Sequence, residues 1–348
     1  MSQIINVGII GFGLSGRYFF SPYIDVNENF ELYAIVTSQV KVVKKKYPKA
    51  KVYATVDELL NDDSVNLVVV ASPNPTHFDY AQRALLAGKH VIVEKPFTTT
   101  SADAARLISV AQKVGRVVAP FHNRRWDSEF LTIRTLLEYN RLGEVLEFES
   151  HFDRYRPVKD RVEWKNIPAP GSGVLFDLGP HLIDQALVLF GKPESVYADL
   201  RIQREKGKVV DHFEVHLYYP GKKAILKAGV FVKELGPRLI VHGRNGSFIK
   251  YGLDPQEARL RKGMKPKRTL GDDPEEQWGI IHVTDDVGKD IRETVPSVPG
   301  NYMAYFNNVY DALTGKKELI VKPEEAKLVI EIIEAAYLSS ELKKVVPL

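Results

Sequence analysis

Three short clusters in this chain hold residue types able to do chemistry together. Asp177, His181 and Asp184 fall at i, i+4 and i+7, so in a helix they share one face. An imidazole one turn from a carboxylate is a usable general base, because histidine titrates near neutrality. A structural His–Asp pair or a metal site would show the same spacing, but no further ligand cluster recommends a metal. The second cluster is Glu94-Lys95-Pro96, directly after the apolar run Val91-Ile92-Val93. A lysine there is a compact donor that can hydrogen-bond a hydroxyl or carbonyl oxygen and stabilise developing charge; taken alone, it reads first as a surface residue after a strand. The third is Gly11-Phe12-Gly13-Leu14-Ser15-Gly16. Gly11 permits a tight turn, Gly13 lets a pyrophosphate approach the backbone, and Gly16 lets helix and strand pack closely. The N-terminus of the following helix then offers N–H groups to the phosphates.

These clusters need a scaffold that presents them. Val/Ile-rich runs at 4–10, 31–37, 66–71, 90–94 and 116–119 read as strands, separated by helical spacing at 76–87 and 101–114. Ser101, with Asp103 two residues on, begins like a capped helix. Strand–helix alternation of this kind predicts a doubly wound parallel sheet of Rossmann type over residues 1–121, with Lys95 at the carboxyl end of a strand, where such sheets bind ligands. Residues 122–348 follow as a second, α+β domain. It opens with a helix at 127–141 and a strand at 144–155. A helix at 173–190 and strands at 194–204, 212–219, 224–232 and 239–251 come next, predicting a large, open, mostly antiparallel sheet. Residues 254–298 read as a loop-rich excursion, and the lysine- and glutamate-rich part at 261–276 as solvated loop. Trp164 and Trp278 read as packing residues. A last helix is expected over 323–342, with Pro at its start and acids in its first turn.

The second strand carries a further message. An NAD site of this type places an acid about 20 residues beyond the glycine turn, against the adenosine ribose. Here Thr37, Ser38, Gln39, Val40 and Lys41 follow the strand, and no acid is present. Two hydroxyls, Lys41, and the helix start that Ser38 would cap suit a 2′-phosphate, with Arg17 as a second cation. A wet helical face of lysines would give the same sequence.

The composition narrows the class. With 348 residues, two domains are expected; 48 basic against 44 acidic residues leave a net charge of +4, too small to argue for a nucleic-acid surface. Zero cysteines exclude disulfides, thiolate metal sites and a cysteine nucleophile. No apolar run approaches the roughly 20 residues of a membrane span, and the start lacks signal-peptide features, so a cytoplasmic protein is expected.

In this order and spacing the motifs resemble those of the Gfo/Idh/MocA oxidoreductases, which include glucose–fructose oxidoreductase and inositol dehydrogenases. The loop from Ala71 to His77, Glu94-Lys95-Pro96, and Asp177 with His181 match that family's signatures. The runs 122–127, 150–157 and 247–254 are similar to the branch containing NADP-dependent scyllo-inositol dehydrogenase. The resemblance implies hydride transfer between a nicotinamide cofactor, NADP or also NAD, and a secondary alcohol of a polyol or sugar, with scyllo-inositol and scyllo-inosose leading. It implies catalytic roles for Lys95, Asp177 and His181, and a cofactor site built from Gly11, Gly13, Leu14, Ser15, Gly16, Thr37, Ser38, Lys41, Ser72, Pro73, Asn74, His77, Glu94, Lys95, Pro96 and Asn123. Arg125, Asp153 and Tyr155 join Lys95, Asp177 and His181 as substrate-binding candidates, with Arg124, His151 and Arg154 weaker; Arg124 and Arg125 serve equally well as salt-bridge clamps. No metal, nucleic acid or membrane is implied. A homo-oligomer, dimer or tetramer, is expected, because the open sheet face must be covered. The same superfamily contains non-catalytic dinucleotide-sensing regulators and NAD-dependent glycosidases, and these stay open as alternatives.

Overall fold

A computed structural model describes residues 4–158, 167–285 and 287–348, so Trp164 lies outside the described residues. The chain forms two compact units, and they do not divide at a single point. Residues 1–123, 256–270 and 302–327 make the first unit; 124–255, 271–301 and 328–348 make the second. The expected split into 1–121 and 122–348 leaves out the two later segments that return to the first unit.

The first unit is built on six strands, β1 (Ile5–Ile10), β2 (Phe30–Val36), β3 (Lys51–Tyr53), β4 (Leu67–Val70), β5 (His90–Val93) and β6 (Val118–Pro120). They pair in the order β3-β2-β1-β4-β5-β6, every pair parallel. The continuous apolar runs explain this, since β4 is buried at all four positions, as strands covered on both faces must be. The order reverses between β1 and β4, which puts the crevice of the sheet at the ends of those two strands. The helix at Ser101–Val114 is capped by Thr100 rather than Ser101: the Thr100 hydroxyl accepts from the Asp103 N–H at 3.1 Å. The returning helix Met303–Leu313 has no counterpart in the sequence reading. It brings Tyr305 and Phe306 against Phe20, Tyr23 and Phe121, with Phe306 stacked on Tyr23 at 5.2 Å.

The second unit is a nine-stranded sheet. Its strands are β7 (Val145–His151), β8 (Ser195–Arg201), β9 (His212–Tyr219), β10 (Lys222–Gly229), β11 (Leu239–Gly243), β12 (Gly246–Lys250), β13 (Gly279–Thr284), β14 (Asp290–Val295) and β15 (Val346–Pro347). They run in the order β14-β13-β12-β11-β7-β10-β9-β8-β15, antiparallel except for the parallel pair β7–β10. Alternation in β9 turns Phe213, Val215, Leu217 and Tyr219 to one face, where they meet Leu182 and Ile183 of the helix Val174–Phe190 and Val329 and Ile333 of the helix Pro323–Leu342.

Two expectations need correction here. The single strand 239–251 is a hairpin, because Arg244-Asn245 turns the chain and Asn245 N–H donates to the Leu142 carbonyl at 3.0 Å. The excursion 254–298 is not merely loop, since it holds the helix Gln256–Arg261 and the hairpin β13–β14. The short strand Asp290-Ile-Arg-Glu-Thr-Val295 is charged because it lies at the sheet's edge, and that hides its strand character from a hydrophobic pattern. Among the described residues, no helix is long and apolar enough to cross a membrane.

His90, at the start of β5, accepts the Val117 N–H on Nδ1 at 3.0 Å. Burial and the nearby Arg116 charge push its pKa down to about 4. The unfolded chain keeps the ordinary value near 6.5, so folding excludes a proton that the unfolded state binds. The stabilisation is complete above about pH 6.5 and is lost as pH falls toward 4. Urea unfolding across this range is expected to show a steeper loss for wild type than for His90→Gln; equal slopes would contradict the assignment.

Candidate active site

The first unit carries the glycine turn at the crevice of its sheet. Gly11 has φ +99°, and a Cβ there would lie 2.6 Å from the Ala71 carbonyl oxygen. A Cβ on Gly16 would lie 2.2 Å from the Gly11 oxygen, so neither position accepts a side chain. Gly13 differs: a Cβ there would meet nothing within 4 Å, so its backbone faces open space. This is the cradle that a pyrophosphate requires, close-packed beneath and open above. Leu14 is exposed, and Ser15 donates its hydroxyl to Glu94 Oε1 at 2.8 Å, joining the turn to the end of β5. The chain continues through a π-helical turn, Gly16–Phe20, into the helix Ser21–Val26.

The end of β2 differs from expectation. Thr37 accepts the Gln39 N–H at 3.1 Å, so the local turn consumes one more residue. The helix Val40–Lys46 therefore starts after Gln39, and exposed Ser38 does not cap it. Gln39, unnoticed in the sequence, donates its amide to the Phe12 carbonyl at 3.1 Å and accepts from Arg17. The Arg17 guanidinium also lies over the Phe12 ring, 5.3 Å from its centroid. Lys46 is held below the usual lysine pKa by burial first, then by the charges of Arg17 and Lys265, with Asp25 opposing. Lys265 comes from the returning segment 256–270, so part of the stretch read as solvated loop adds positive charge here. Lys41 is exposed on the same helix.

Two loops carry the nicotinamide-side candidates. After β4, the Ser72 and Thr76 hydroxyls lie 2.6 Å apart, and the Pro73 carbonyl accepts from Thr76 N–H and Oγ1 around the turn Asn74–Thr76. After β5, Glu94 is buried and accepts from the Lys95 N–H; Lys95 is half-buried and Pro96 buried. His77 joins these loops: Nδ1 lies 2.7 Å from the Pro96 oxygen and Nε2 3.0 Å from the Ser72 oxygen. Asn123 is buried at the start of the turn Asn123–Trp126.

In the second unit, Asp177 and His181 ride the first turns of the helix Val174–Phe190, with Asp177 half-buried and His181 6% exposed. Pro180 lies inside this helix and has no N–H to give the Phe176 carbonyl, which loosens the turn between them. Asp184, on the same face, is gripped by Arg125, with Nε donating to Oδ2 at 2.8 Å and Nη2 to Oδ1 at 2.6 Å. The pair is buried, so this geometry favours the clamp reading of Arg125. Arg124 pairs with Asp127 at 3.0 Å, and its carbonyl accepts from Gln185 at 2.9 Å. Asp153 accepts the Gly229 N–H at 2.9 Å, and His151 lies between Glu149 and Asp153, at 2.9 and 3.5 Å. Burial lowers the His151 pKa, but the two carboxylates outweigh it and hold the value above the usual one. Tyr155 is exposed, with Lys233 over its ring, and Trp278 is half-buried.

Residues 5–122 match the oxidoreductase family with an NAD-binding Rossmann fold, and 134–348 match that family's C-terminal alpha/beta domain. The chain is 44% identical over 341 residues to the uncharacterized oxidoreductase YdgJ of Escherichia coli, covering 96% of each chain. It is 40% identical over 346 residues to scyllo-inositol 2-dehydrogenase (NADP(+)) IolW of Bacillus subtilis, covering 99% of this chain and 96% of the other. The solved structure of the oxidoreductase YvaA of Bacillus subtilis superposes with a TM-score of 0.97 at 38% identity, covering 100% of this chain and 99% of that one. The chain belongs to the Gfo/Idh/MocA family of NAD(P)-binding oxidoreductases.

Proposed function

We propose that this oxidoreductase is an NADP-dependent dehydrogenase acting on a secondary alcohol of a cyclic polyol or sugar, with scyllo-inositol as the leading substrate. The observation that carries the reading is the joint presence of the open glycine cradle, Lys95 at the end of a parallel strand, and Asp177 with His181 one helical turn apart. Forty per cent identity over nearly the whole of IolW supports the substrate class. When bound, the nicotinamide supplies the hydride acceptor or donor. Lys95 hydrogen-bonds the reacting oxygen and stabilises its charge as it changes character. His181 takes the hydroxyl proton in oxidation and returns it in reduction. Asp177 accepts from a neighbouring substrate hydroxyl and tunes His181. Asp153 and Tyr155 contribute to the sugar pocket, while Asn74, His77, Pro96 and Asn123 border the cofactor.

The preference for NADP rests on the end of β2. No acid follows the strand, Arg17 is anchored by Phe12 and Gln39, and Lys46 and Lys265 add charge nearby. A 2′-phosphate finds cations and hydroxyls there instead of a repelling carboxylate. The second unit also suggests self-association. On the sheet face opposite the helices, Ile225, Ile240, Ile249 and Ile280 fall in one cross-strand row with Glu149, all half-buried, and a second copy would cover them.

Three measurements test these readings. Lys95→Ala and His181→Ala are each expected to lower polyol-dependent NADPH formation at least about 100-fold, with NADP binding within roughly threefold. Near-wild-type turnover in either would remove that residue from the reaction, and NADP binding without turnover on any polyol would favour a sensor. The ratio of kcat/KM for NADP to that for NAD is expected to exceed about 10, roughly 1.4 kcal/mol of discrimination, and to collapse in Ser38→Asp. A wild type that prefers NAD would refute the reading of β2. Sedimentation velocity is expected to show a dimer or larger for wild type and a smaller species for Ile240→Glu; a monomeric wild type would end the self-association proposal.

A further inference from the structure

His77 presents a donor problem. Its side chain is 1% exposed, and both ring nitrogens point at carbonyl oxygens, Pro96 at 2.7 Å and Ser72 at 3.0 Å. A carbonyl oxygen only accepts, and a neutral imidazole has a single N–H. Both contacts are hydrogen bonds only when the ring is an imidazolium. Burial acts first against that charged form, the Lys95 ammonium acts in the same sense, and the two carbonyls oppose them; the balance holds the pKa below its usual value. Lys95 is the charged group that acts on the ring, while Ser72 and Pro96 present only carbonyls. Near neutral pH the ring therefore carries one proton, and the shorter contact favours Nδ1 as its site.

We infer that His77 is a positioning residue that fixes Lys95: its Nδ1–H holds the carbonyl of Pro96, the residue directly after Lys95, while Nε2 faces the carbonyl of Ser72 in its own loop. The inference rests on the reading of Lys95 as the group that touches the reacting oxygen. Its basis is local. His77 opens the helix His77–Leu86, whose position is set by packing on β4 and β5, so the imidazole is a rigid strut between that helix and the peptide that leaves β5. Without the Nδ1 donor, the Pro96 carbonyl loses its buried partner, and the adjoining Lys95 loses the anchor on its carboxyl side while its own N–H stays on Glu94.

Two substitutions separate the ring's two ends. The amide nitrogen of His77→Asn takes the place of Nδ1 and keeps the bond to Pro96. The longer His77→Gln places its nitrogen near Nε2 and keeps only the contact with Ser72. The kcat of His77→Gln is expected at least about tenfold below that of His77→Asn, a larger difference than the one between their NADP dissociation constants, because misplacing a reacting group lowers turnover more than binding. Equal kcat values for the two variants would overturn the inference. A second readout needs no turnover and no variant. In 15N-labelled wild type near neutral pH, the His77 ring is expected to carry its proton on Nδ1, and a proton on Nε2 alone would overturn the inference too. If Lys95→Ala were fully active, the catalytic reading of Lys95 would fail, and with it the link to turnover, whereas the tautomer measurement would still report on the strut itself.

Discussion

Backbone crowding at the carboxyl end of β1 governs the first unit. The chain must turn away there between two neighbours, with the Gly11 N–H donating to the Val36 carbonyl at 3.1 Å and the Ala71 N–H donating to Ile10 at 2.9 Å. No side chain fits in that gap, and none fits where Gly16 passes over Gly11. Once the turn is drawn this tight, its flanks reach the other strand ends. Ser15 reaches Glu94 beyond β5, and the Phe12 carbonyl receives Gln39 beyond β2. Two loops of the cofactor face are thus tied to one turn, each through a different atom. The glycines matter less for flexibility than for the space they leave to others.

The second unit is organised by buried charge. Arg125–Asp184, Arg124–Asp127, Arg238–Glu129 and Lys250–Asp273 are all withdrawn from solvent. Phe152 is surrounded by the guanidiniums of Arg124, Arg154 and Arg238, at 4.9, 4.8 and 5.1 Å from the ring centroid. Such pairs add little net stability, but breaking one is costly, so each ties its partners to a single arrangement. The Arg125–Asp184 pair acts one turn beyond His181, and it orients the helix face on which His181 sits.

Much of this was legible in the sequence, and the omissions have physical causes. Continuous valine and isoleucine runs announced the parallel strands, and the glycine turn announced its cradle, because both signals are local. The helix start after β2 was misplaced by one residue because Thr37 closes a local turn on the Gln39 N–H, so the helix begins after Gln39 with no side-chain cap. The return of 256–270 and 302–327 to the first unit was invisible, since it depends on aromatic contacts between residues nearly 300 positions apart, such as Tyr23 with Phe306. The role of Arg125 was undecidable from sequence, where a charge on a helix start looks the same whether it grips a substrate or Asp184.

The two ends of the nine-stranded sheet carry a consequence for how the protein behaves at high concentration. One end is β15, two residues long and closed by Pro347; the other is β14, which displays Asp290, Arg292 and Glu293. A proline cannot extend a ladder, and a charged edge resists pairing with its own kind. Open sheets with bare margins grow sideways into fibres. This one is blunted at both margins, so neither edge offers a template for its own aggregation.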